Sequence, residues 1–222
     1  MNYREFENLV CQGCTGYGVD LDRLAVEKLY LYFQELKRWS QKVNLIARET
    51  ADRAIVENHF IDSLALLMLL DETRDSLLDI GSGAGFPGLV CKIARPLMVV
   101  SLIEPRLKRV SFLRHVIRHC DLKDVNVQPC RLEKHVALEE ESHFNCIVSR
   151  AVSDIPSFLE LCDRFCVTNR KIICMKGPRF REEIGESHGE DGRWNLSELR
   201  EYKLPFSKAS RVLLSFTCRN RQ

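Results

Sequence analysis

Residues 77–88 read LLDIGSGAGFPG, an apolar run that leads into a turn of closely spaced glycines. The apolar part, Leu77 to Ile80, predicts a buried β-strand, and the residues from Pro87 onward predict a helix. Small residues between a strand and a helix leave backbone N–H groups uncovered, so a ligand can lie directly against the chain. The stretch therefore predicts a site for a nucleotide-like ligand at the tip of a strand.

The spacing of the glycines alone leaves the ligand open. Gly83, Gly85 and Gly88 satisfy the G-x-G-x-x-G pattern of dinucleotide-binding turns, and Glu104 lies near the distance expected for a ribose contact. On that interpretation the protein is a nicotinamide-dependent oxidoreductase. A tight turn that binds nothing is a further alternative.

Three features favour S-adenosylmethionine instead. Asp79 directly precedes the glycines, where a carboxylate accepts a hydrogen bond from the positively charged amine of that donor. The glycines begin already at Gly81, and Phe86-Pro87 would crowd a pyrophosphate at the start of the helix. Glu104 follows the next predicted strand and suits both hydroxyls of an adenosine ribose. The pattern D-x-G-x-G-x-G with a second acid downstream is typical of class I methyltransferases.

Short apolar runs alternate with amphipathic stretches from Ser76 onward, and strands that alternate with helices indicate a parallel sheet with crossovers. We expect an α/β fold, a doubly wound seven-stranded sheet of the Rossmann-like class I type, with an exposed polar loop at 185–193. The predicted strands are Leu77–Ile80, Leu97–Ile103, Val125–Gln128, Phe144–Val148, Lys171–Met175 and Val212–Thr217. The predicted helices are Pro87–Ala94, Arg106–His119, Arg131–Leu138 and Ile155–Val167.

The chain before residue 76 has a helical rhythm throughout. Apolar residues recur at intervals of three and four from Leu21 to Leu36, which predicts a helix over Asp22–Trp39, and further helices are expected near Phe6 and from Ile55 to Leu70. Residues 1–75 hold 9 basic and 13 acidic side chains, whereas residues 76–222 hold 24 and 18. We therefore predict a helical N-terminal extension, 1–75, and a donor-binding domain, 76–222.

Composition excludes several classes of protein. The 222 residues are 45% hydrophobic and 29% charged, as in ordinary globular proteins, and the longest apolar run, Leu64 to Leu70, is too short to span a bilayer. We expect no secretion signal and a cytoplasmic location, and in that reducing compartment the ten cysteines should be thiols. Cys11-x-x-Cys14 lacks nearby partners for zinc, so we expect no structural metal.

Basic side chains cluster at two places, which suits a polyanionic partner. A solvated helix face is the alternative interpretation of each cluster. The clusters consist of Arg106, Lys108, Arg109, Arg114 and Arg118, and of Arg170, Lys171, Lys176, Arg179 and Arg181.

Taken together, the motifs closely resemble the bacterial glucose-inhibited division protein B family, over about residues 20 to 217. The resemblance implies a methyltransferase that transfers a methyl group from S-adenosylmethionine to N7 of a guanine in 16S ribosomal RNA, guanine 527 of the 530 loop. The implied partner is 16S rRNA or the small ribosomal subunit. The similar segments are residues 79–88, Lys108-Arg109-x-x-Phe112-Leu113, Arg131-Leu132-Glu133, Ser149-Arg150-Ala151, Lys176-Gly177, Trp39-x-x-x-x-Asn44-Leu45 and His59-Phe60-x-Asp62-Ser63.

The resemblance also implies roles for individual residues. Gly81 and Phe86 match positions that line the donor pocket, Leu132 and Glu133 match the pair beside the adenine, and Arg150 matches an arginine between donor and substrate. Two positions depart from the family pattern. Glu104-Pro105 stands where Asp-Ser is usual, and Leu132 stands where alanine is frequent. The longer Glu104 side chain keeps the charge but changes its reach.

Substrate contacts are expected at the carboxyl ends of the strands, which face the ligand crevice in parallel sheets. Arg150 is the expected catalytic and substrate-binding residue, because arginine suits the acceptor edge of guanine, stacking and phosphate contact. The other expected substrate-binding residues are Lys176, Arg109, Asn44, His59, Asp62 and Ser63. For the last four, a structural role is equally compatible with the sequence, in which His59 and Asp62 pair with each other and Ser63 caps a helix. A methyltransferase of another substrate and a non-catalytic RNA-binding module remain alternatives.

Overall fold

The computed structural model describes residues 1–47, 50–71, 76–133, 144–150, 153–167, 170–184 and 193–219. Its helices are α1 (Tyr3–Thr15), α2 (Arg23–Ser40), α3 (Asp52–Ile55), α4 (Asp62–Leu64), α5 (Gly88–Ala94), α6 (Leu107–His119), α7 (Ile155–Leu161) and α8 (Phe180–Ile184). A π-helix, Val56–Ile61, joins α3 to α4, and 3-10 turns follow at Ala65–Met68 and Asp163–Phe165. The strands are β1 (Ser76–Ile80), β2 (Val99–Ile103), β3 (Val125–Gln128), β4 (Cys146–Arg150), β5 (Lys171–Lys176), β6 (Trp194–Lys203) and β7 (Ser210–Cys218).

The seven strands form one sheet in the order β3-β2-β1-β4-β5-β7-β6, as predicted for a doubly wound fold. Strands β1 to β5 are parallel, while β7 runs antiparallel to both β5 and β6. The order reverses between β1 and β4, so the crevice outside their carboxyl ends is where a ligand binds in such sheets.

Alternating side chains of each strand feed two apolar layers, since successive residues of a strand point to opposite faces. Leu77 packs in the layer that contains the N-terminal helices, α5 and α6, whereas Leu78 packs in the layer that contains α7. Both faces are covered, which explains the continuous apolar runs of the central strands.

The N-terminal helices share the core of the sheet. Tyr32 of α2 stacks on Phe86 with ring centroids 5.4 Å apart, and Phe60 of the π-helix meets the same ring edge-on at 5.3 Å. The helix expected at Asp22–Trp39 is confirmed as α2, and the Asp22 side chain caps it by accepting from the Ala25 N–H. The division at residue 75 stays a prediction.

Several predicted elements differ from the observed ones. β4 begins and ends two residues later than predicted, and the helix expected over Ile155–Val167 is interrupted after Leu161. β6 was not among the predicted strands, because it is an edge strand with mostly exposed side chains and no apolar run. Arg131 to Glu133 form no regular helix, and the rest of that predicted helix and nearly all of the 185–193 loop lie outside the described residues.

The expectation that all cysteines are thiols is wrong for one pair. Cys166 and Cys218 form a disulfide with Cα atoms 5.2 Å apart. This disulfide was not predicted, because 52 positions separate the two residues and neither lies in a recognisable cysteine motif. Cys11 is exposed and Cys14 is buried, both as free thiols on α1. Within the described ranges, no helix is both long and apolar enough to cross a membrane.

Candidate functional site

A cleft of about 880 Å³ lies at the carboxyl ends of the strands. Most of the predicted site residues line it. They are Gly81, Gly83, Phe86, Glu104, Leu132, Arg150, Lys176, His59, Asp62 and Arg109. Of the other predicted residues, Asp79 lies beneath the cleft, Glu133 and Asn44 are exposed outside its lining, and Ser63 is buried in α4.

The glycines of the turn have different tasks. Gly81, Gly83 and Gly85 adopt φ values of 73°, 60° and 95°, in the left-handed region that favours glycine. A Cβ on Gly85 would lie 2.7 Å from Leu89 and from the Tyr32 hydroxyl, so this glycine is required by packing. A Cβ on Gly83 would have no atom within 3.8 Å and would project from a residue that lines the cleft. Gly83 is therefore the position where the backbone stays open to a ligand.

Asp79 is completely buried below the turn. Its Oδ2 accepts from the Gly88 N–H at 2.9 Å, at the first residue of α5, and its Oδ1 has no hydrogen-bond partner within the described part of the chain. Burial raises the pKa of this carboxyl to about 7. Since Asp79 already holds the amide that a pyrophosphate would use at this helix start, the dinucleotide interpretation loses its anion site. The expected contact between Asp79 and the donor's amine remains a prediction.

We expect the buried Asp79 carboxyl to make stability fall as pH rises. Its pKa in the folded protein lies above the value near 4 of an unfolded chain, so its contribution is complete below pH 4 and is lost as pH rises through about 7. Asp79→Asn removes that dependence, up to about 4 kcal/mol between pH 4 and pH 9. Urea unfolding across this range measures it. Asn replacement of the exposed Asp20 is the control, and identical pH profiles for Asp79→Asn and wild type would contradict the assignment.

Glu104 joins the glycine turn to the loop after β2. Its Oε2 accepts from the Gly83 N–H and its Oε1 from the Arg106 N–H, both at 2.9 Å. Only 2% of the residue is exposed, yet it lines the cleft. Each carboxylate oxygen has a second lone pair, so the group is able to accept two further hydroxyl donors. The position fits a ribose, and the longer side chain reaches the turn itself.

Arg150 is the last residue of β4 and lies at the substrate end of the cleft, where several contacts hold its side chain. Its Nη1 donates to the Asn58 carbonyl at 2.9 Å and lies 3.4 Å from Asp62 Oδ2. Its guanidinium also lies over the Phe86 ring, 5.2 Å from the centroid. These contacts fix the orientation of the guanidinium on a rigid support, as a residue that positions a substrate requires.

His59 completes this support as a neutral ring. Its Nδ1 lies 3.2 Å from Arg150 Nη2, and its ring stacks on Phe86 with centroids 5.0 Å apart. Burial, and then the positive charge of Arg150, lower the pKa of His59 to about 3. Because arginine only donates, Nδ1 must accept and the proton of the neutral ring is on Nε2. His59 therefore has no lone pair left for removing a proton from a substrate.

Asp62 connects these residues to the last two strands. Its Oδ1 accepts from the Tyr202 hydroxyl at 2.8 Å and lies 3.6 Å from Arg211 Nε. Arg211 Nη2 also donates to Asn58 Oδ1 at 3.4 Å. The predicted alternative, in which His59 and Asp62 pair with each other, is not what the structure shows, since each contacts Arg150.

Three cleft residues, Asn58, Tyr202 and Arg211, were missing from the sequence predictions. Tyr202 and Arg211 pair with each other across β6 and β7. An edge strand without an apolar pattern gives no sign of where its polar side chains point. The pairing of β7 with β5 was not predicted either, and it is this pairing that brings the start of β7 to the carboxyl end of β5.

Lys176 and Arg109, two further predicted residues, are hydrogen-bonded to other parts of the fold. Lys176 Nζ donates to the Ser153 carbonyl and to Glu183 Oε2, the latter at 2.7 Å. Arg109 donates through Nε and Nη2 to the Asn44 carbonyl at 3.3 and 3.2 Å, and its Nη1 lies 3.7 Å from Glu104. It thus connects the segment after α2 to the predicted ribose acceptor.

Two of the predicted residues outside the lining also have identified contacts. Ser63 donates to the His59 carbonyl one turn earlier in the helix, which is a structural contact but not the helix cap expected as its alternative role. The Glu133 carbonyl accepts from Arg164. Neither contact tests their predicted roles.

Solved structures with this architecture include a putative methyltransferase and a protein in complex with S-adenosylmethionine. A putative O-methyltransferase from Klebsiella pneumoniae superposes with a TM-score of 0.59 over 90% of this chain and 92% of that one, at 15% identity. A variant of MtNAS in complex with S-adenosylmethionine superposes with a TM-score of 0.55 over 97% and 89%, at 18% identity. The chain has the fold of the class I S-adenosylmethionine-dependent methyltransferases.

Sequence comparison gives the family. The model of the GidB family, described as rRNA small subunit methyltransferase G, matches residues 25–214. A protein of Desulfotalea psychrophila named ribosomal RNA small subunit methyltransferase G is 49% identical over 95% of this chain and 97% of its own length. A protein of the same name from Acetivibrio thermocellus is 36% identical over 95% and 87%. The chain belongs to the rRNA small subunit methyltransferase G family, as its motifs predicted.

Proposed function

We propose that this protein transfers the methyl group of S-adenosylmethionine to N7 of a guanine in 16S ribosomal RNA, in the cytoplasm. Following the family resemblance, the proposed target is guanine 527 of the 530 loop. The observation that carries the proposal is the arrangement of one cleft, in which an open glycine turn and a buried acid lie at one end and an oriented arginine lies at the other.

The donor half of the cleft fits the shape and charge of S-adenosylmethionine. Gly81 and Gly83 line the cleft without side chains, although their N–H groups donate to the Ile103 carbonyl and to Glu104. Glu104 retains lone pairs for the ribose hydroxyls, and Leu132 provides an apolar wall for the adenine. Bound there, the donor supplies an electrophilic methyl group on a sulfonium. Asp79 adds a carboxyl directly under the turn, and Glu133 is kept as a proposed donor contact through the resemblance alone.

Attack by guanine N7 makes few chemical demands on the protein. N7 carries an in-plane lone pair and loses no proton, so no general base is needed. What the protein must do is align N7 with the methyl group and stabilise the charge that moves between them. This agrees with a neutral His59 whose Nδ1 is occupied by Arg150. The carboxylates that line the cleft, Asp62 and Glu104, are hydrogen-bonded within the fold, which agrees with a reaction that needs no base.

The guanine has to leave its stack to reach the cleft. Arg150 lies between the donor turn and the substrate end, so we propose it as the residue that contacts the unstacked guanine. Lys176, Arg109, Asp62 and His59 surround this position. Asn44 and Ser63 are then proposed to act indirectly, through Arg109 and through His59, to which they are hydrogen-bonded.

Transfer of a tritiated methyl group tests the proposal. Wild-type protein is incubated with labelled S-adenosylmethionine and with 16S rRNA, either as naked RNA or in small subunits from cells that lack the gene. We expect label in one of these substrates and a single N7-methylguanosine at the target position. Label at background level in both would refute the activity, and label at another nucleotide would refute the assigned guanine.

A further inference from the structure

Three cations occupy the carboxyl edge of neighbouring strands at the substrate end of the cleft. Arg150 is the last residue of β4, Lys176 is the last of β5, and Arg211 is the second residue of the antiparallel β7. The register places Lys176 opposite Val212, next to Arg211. Adjacent strands lie about 4.8 Å apart, so the row extends over roughly 10 Å of the sheet edge.

Arg211 is held at this edge of the sheet by hydrogen bonds and remains partly exposed. Its side chain is 25% exposed and lines the cleft. Its Nη2 donates to Asn58 Oδ1 at 3.4 Å and its Nη1 donates to the Ser210 carbonyl at 3.1 Å. These contacts hold the guanidinium at the wall of the cleft, and a guanidinium carries five N–H donors in all.

The charges at this end do not balance. Arg150 and Arg211 both lie against the single carboxylate of Asp62, at 3.4 and 3.6 Å, while Lys176 pairs with Glu183 at 2.7 Å. In the direct ion pairs at this end, three cations thus share two carboxylates, and His59 is neutral because its pKa is lowered. The next carboxylate, Glu57, is held by the amides of Phe206 and Ser207, so among the described residues one of the three cations lacks a carboxylate partner of its own.

A cation that lacks its own carboxylate is unfavourable for the proposed reaction unless the substrate brings an anion. Methylation at N7 leaves a positive charge on the guanine ring, which an uncompensated arginine nearby would repel. The target nucleotide itself carries a phosphate on each side. A phosphate seated against the unbalanced arginine would offset the charge and orient the base toward Arg150.

We propose that Arg211 binds an RNA phosphate adjacent to the target guanosine. The proposal rests on the proposed function. It assigns to the β6–β7 hairpin the task of seating the backbone of the flipped nucleotide, with Asp62 and Asn58 as positioning residues. In this arrangement Arg150 contacts the guanine base, and Arg211 contacts the backbone.

The salt dependence of RNA binding tests this assignment. Filter binding of 16S rRNA, or of small subunits if only these are methylated, is measured against salt for wild type, Arg211→Gln and Arg211→Lys. Loss of one phosphate contact should raise the Kd about tenfold and flatten the slope of log K against log salt by about 0.7 to 1. Arg211→Lys keeps the charge and should keep the slope. In methyl transfer, KM should rise with kcat within about twofold.

The matched control is Arg23→Gln, which removes one positive charge from an 88% exposed position at the start of α2. It should leave KM and slope unchanged. An Arg211→Gln protein with the wild-type slope, or with lost affinity for S-adenosylhomocysteine, would overturn the assignment, because the residue would then be structural or a donor contact. Failure of the wild type to methylate RNA would refute the proposed function instead, while the slope still reports on Arg211.

Discussion

Replacing Gly83 with valine should reduce the affinity for S-adenosylhomocysteine by about 10- to 100-fold or more while the protein stays folded. The Cβ meets no atom within 3.8 Å, so the cost is not a clash within the fold. The branched side chain instead occupies cleft volume in which the donor must approach the backbone. Calorimetric titration with S-adenosylhomocysteine measures the effect, and thermal unfolding measures the stability.

Gly18→Val is the matched control for backbone strain. Gly18 has a φ of +66°, close to the +60° of Gly83, and open space around its Cβ position, but it lies outside the cleft lining. Both variants carry the cost of a left-handed residue, about 1–2 kcal/mol. Only Gly83→Val should lose binding. Equal affinity in the two variants would show that the turn does not hold the donor.

Arg150→Met should lower kcat/KM for methyl transfer by about 100-fold, the cost of misplacing the reacting atoms by about 1 Å when the residue that orients the base is lost. Methionine keeps much of the length but cannot donate to the Asn58 carbonyl, Asp62 and His59 together. We expect the affinity for S-adenosylhomocysteine to change much less, because the donor turn and Glu104 stay in place. Single-turnover kinetics at saturating donor isolates the transfer step.

Arg150→Lys separates charge from geometry. A lysine keeps the positive charge but lacks the planar fork, so we expect only partial recovery of the rate. Arg23→Met, on the exposed end of α2, should behave as wild type. If Arg150→Met kept a rate within threefold of wild type, Arg150 would have no place in the transfer step.

The donor half of the site was predictable because its signals are local. Asp79, Gly83 and Glu104 lie at strand ends marked by apolar runs. Small residues in a strand-to-helix turn commonly indicate that a ligand lies against the backbone there. The distinct tasks of the glycines were not visible. Only the packed structure shows that Gly85 is required against Leu89, whereas a Cβ on Gly83 would meet its nearest atom, Arg109 Nη1, at 3.8 Å without a clash.

The substrate half was predictable in part, because its contacts are distant in sequence. Arg150 followed from its place at a strand end, and the family resemblance pointed to His59 and Asp62. Tyr202 and Arg211 were missed, since 140 positions separate Tyr202 from Asp62 and β6 has no apolar pattern. The pairing of Cys166 with Cys218 was missed for the same physical reason, contact without local sequence pattern.

The contact between the π-helix and the β6–β7 turn affects the order in which the site is completed during folding. Glu57 of the π-helix accepts from the amides of Phe206 and Ser207, 149 and 150 positions later, and so ties the hairpin turn to the N-terminal helices. The wall around Asp62 is therefore incomplete until the translating ribosome has released the last strand. A chain that stops before β7 would lose Arg211 together with Val212, Leu213 and Leu214, which are buried in the two apolar layers of the sheet.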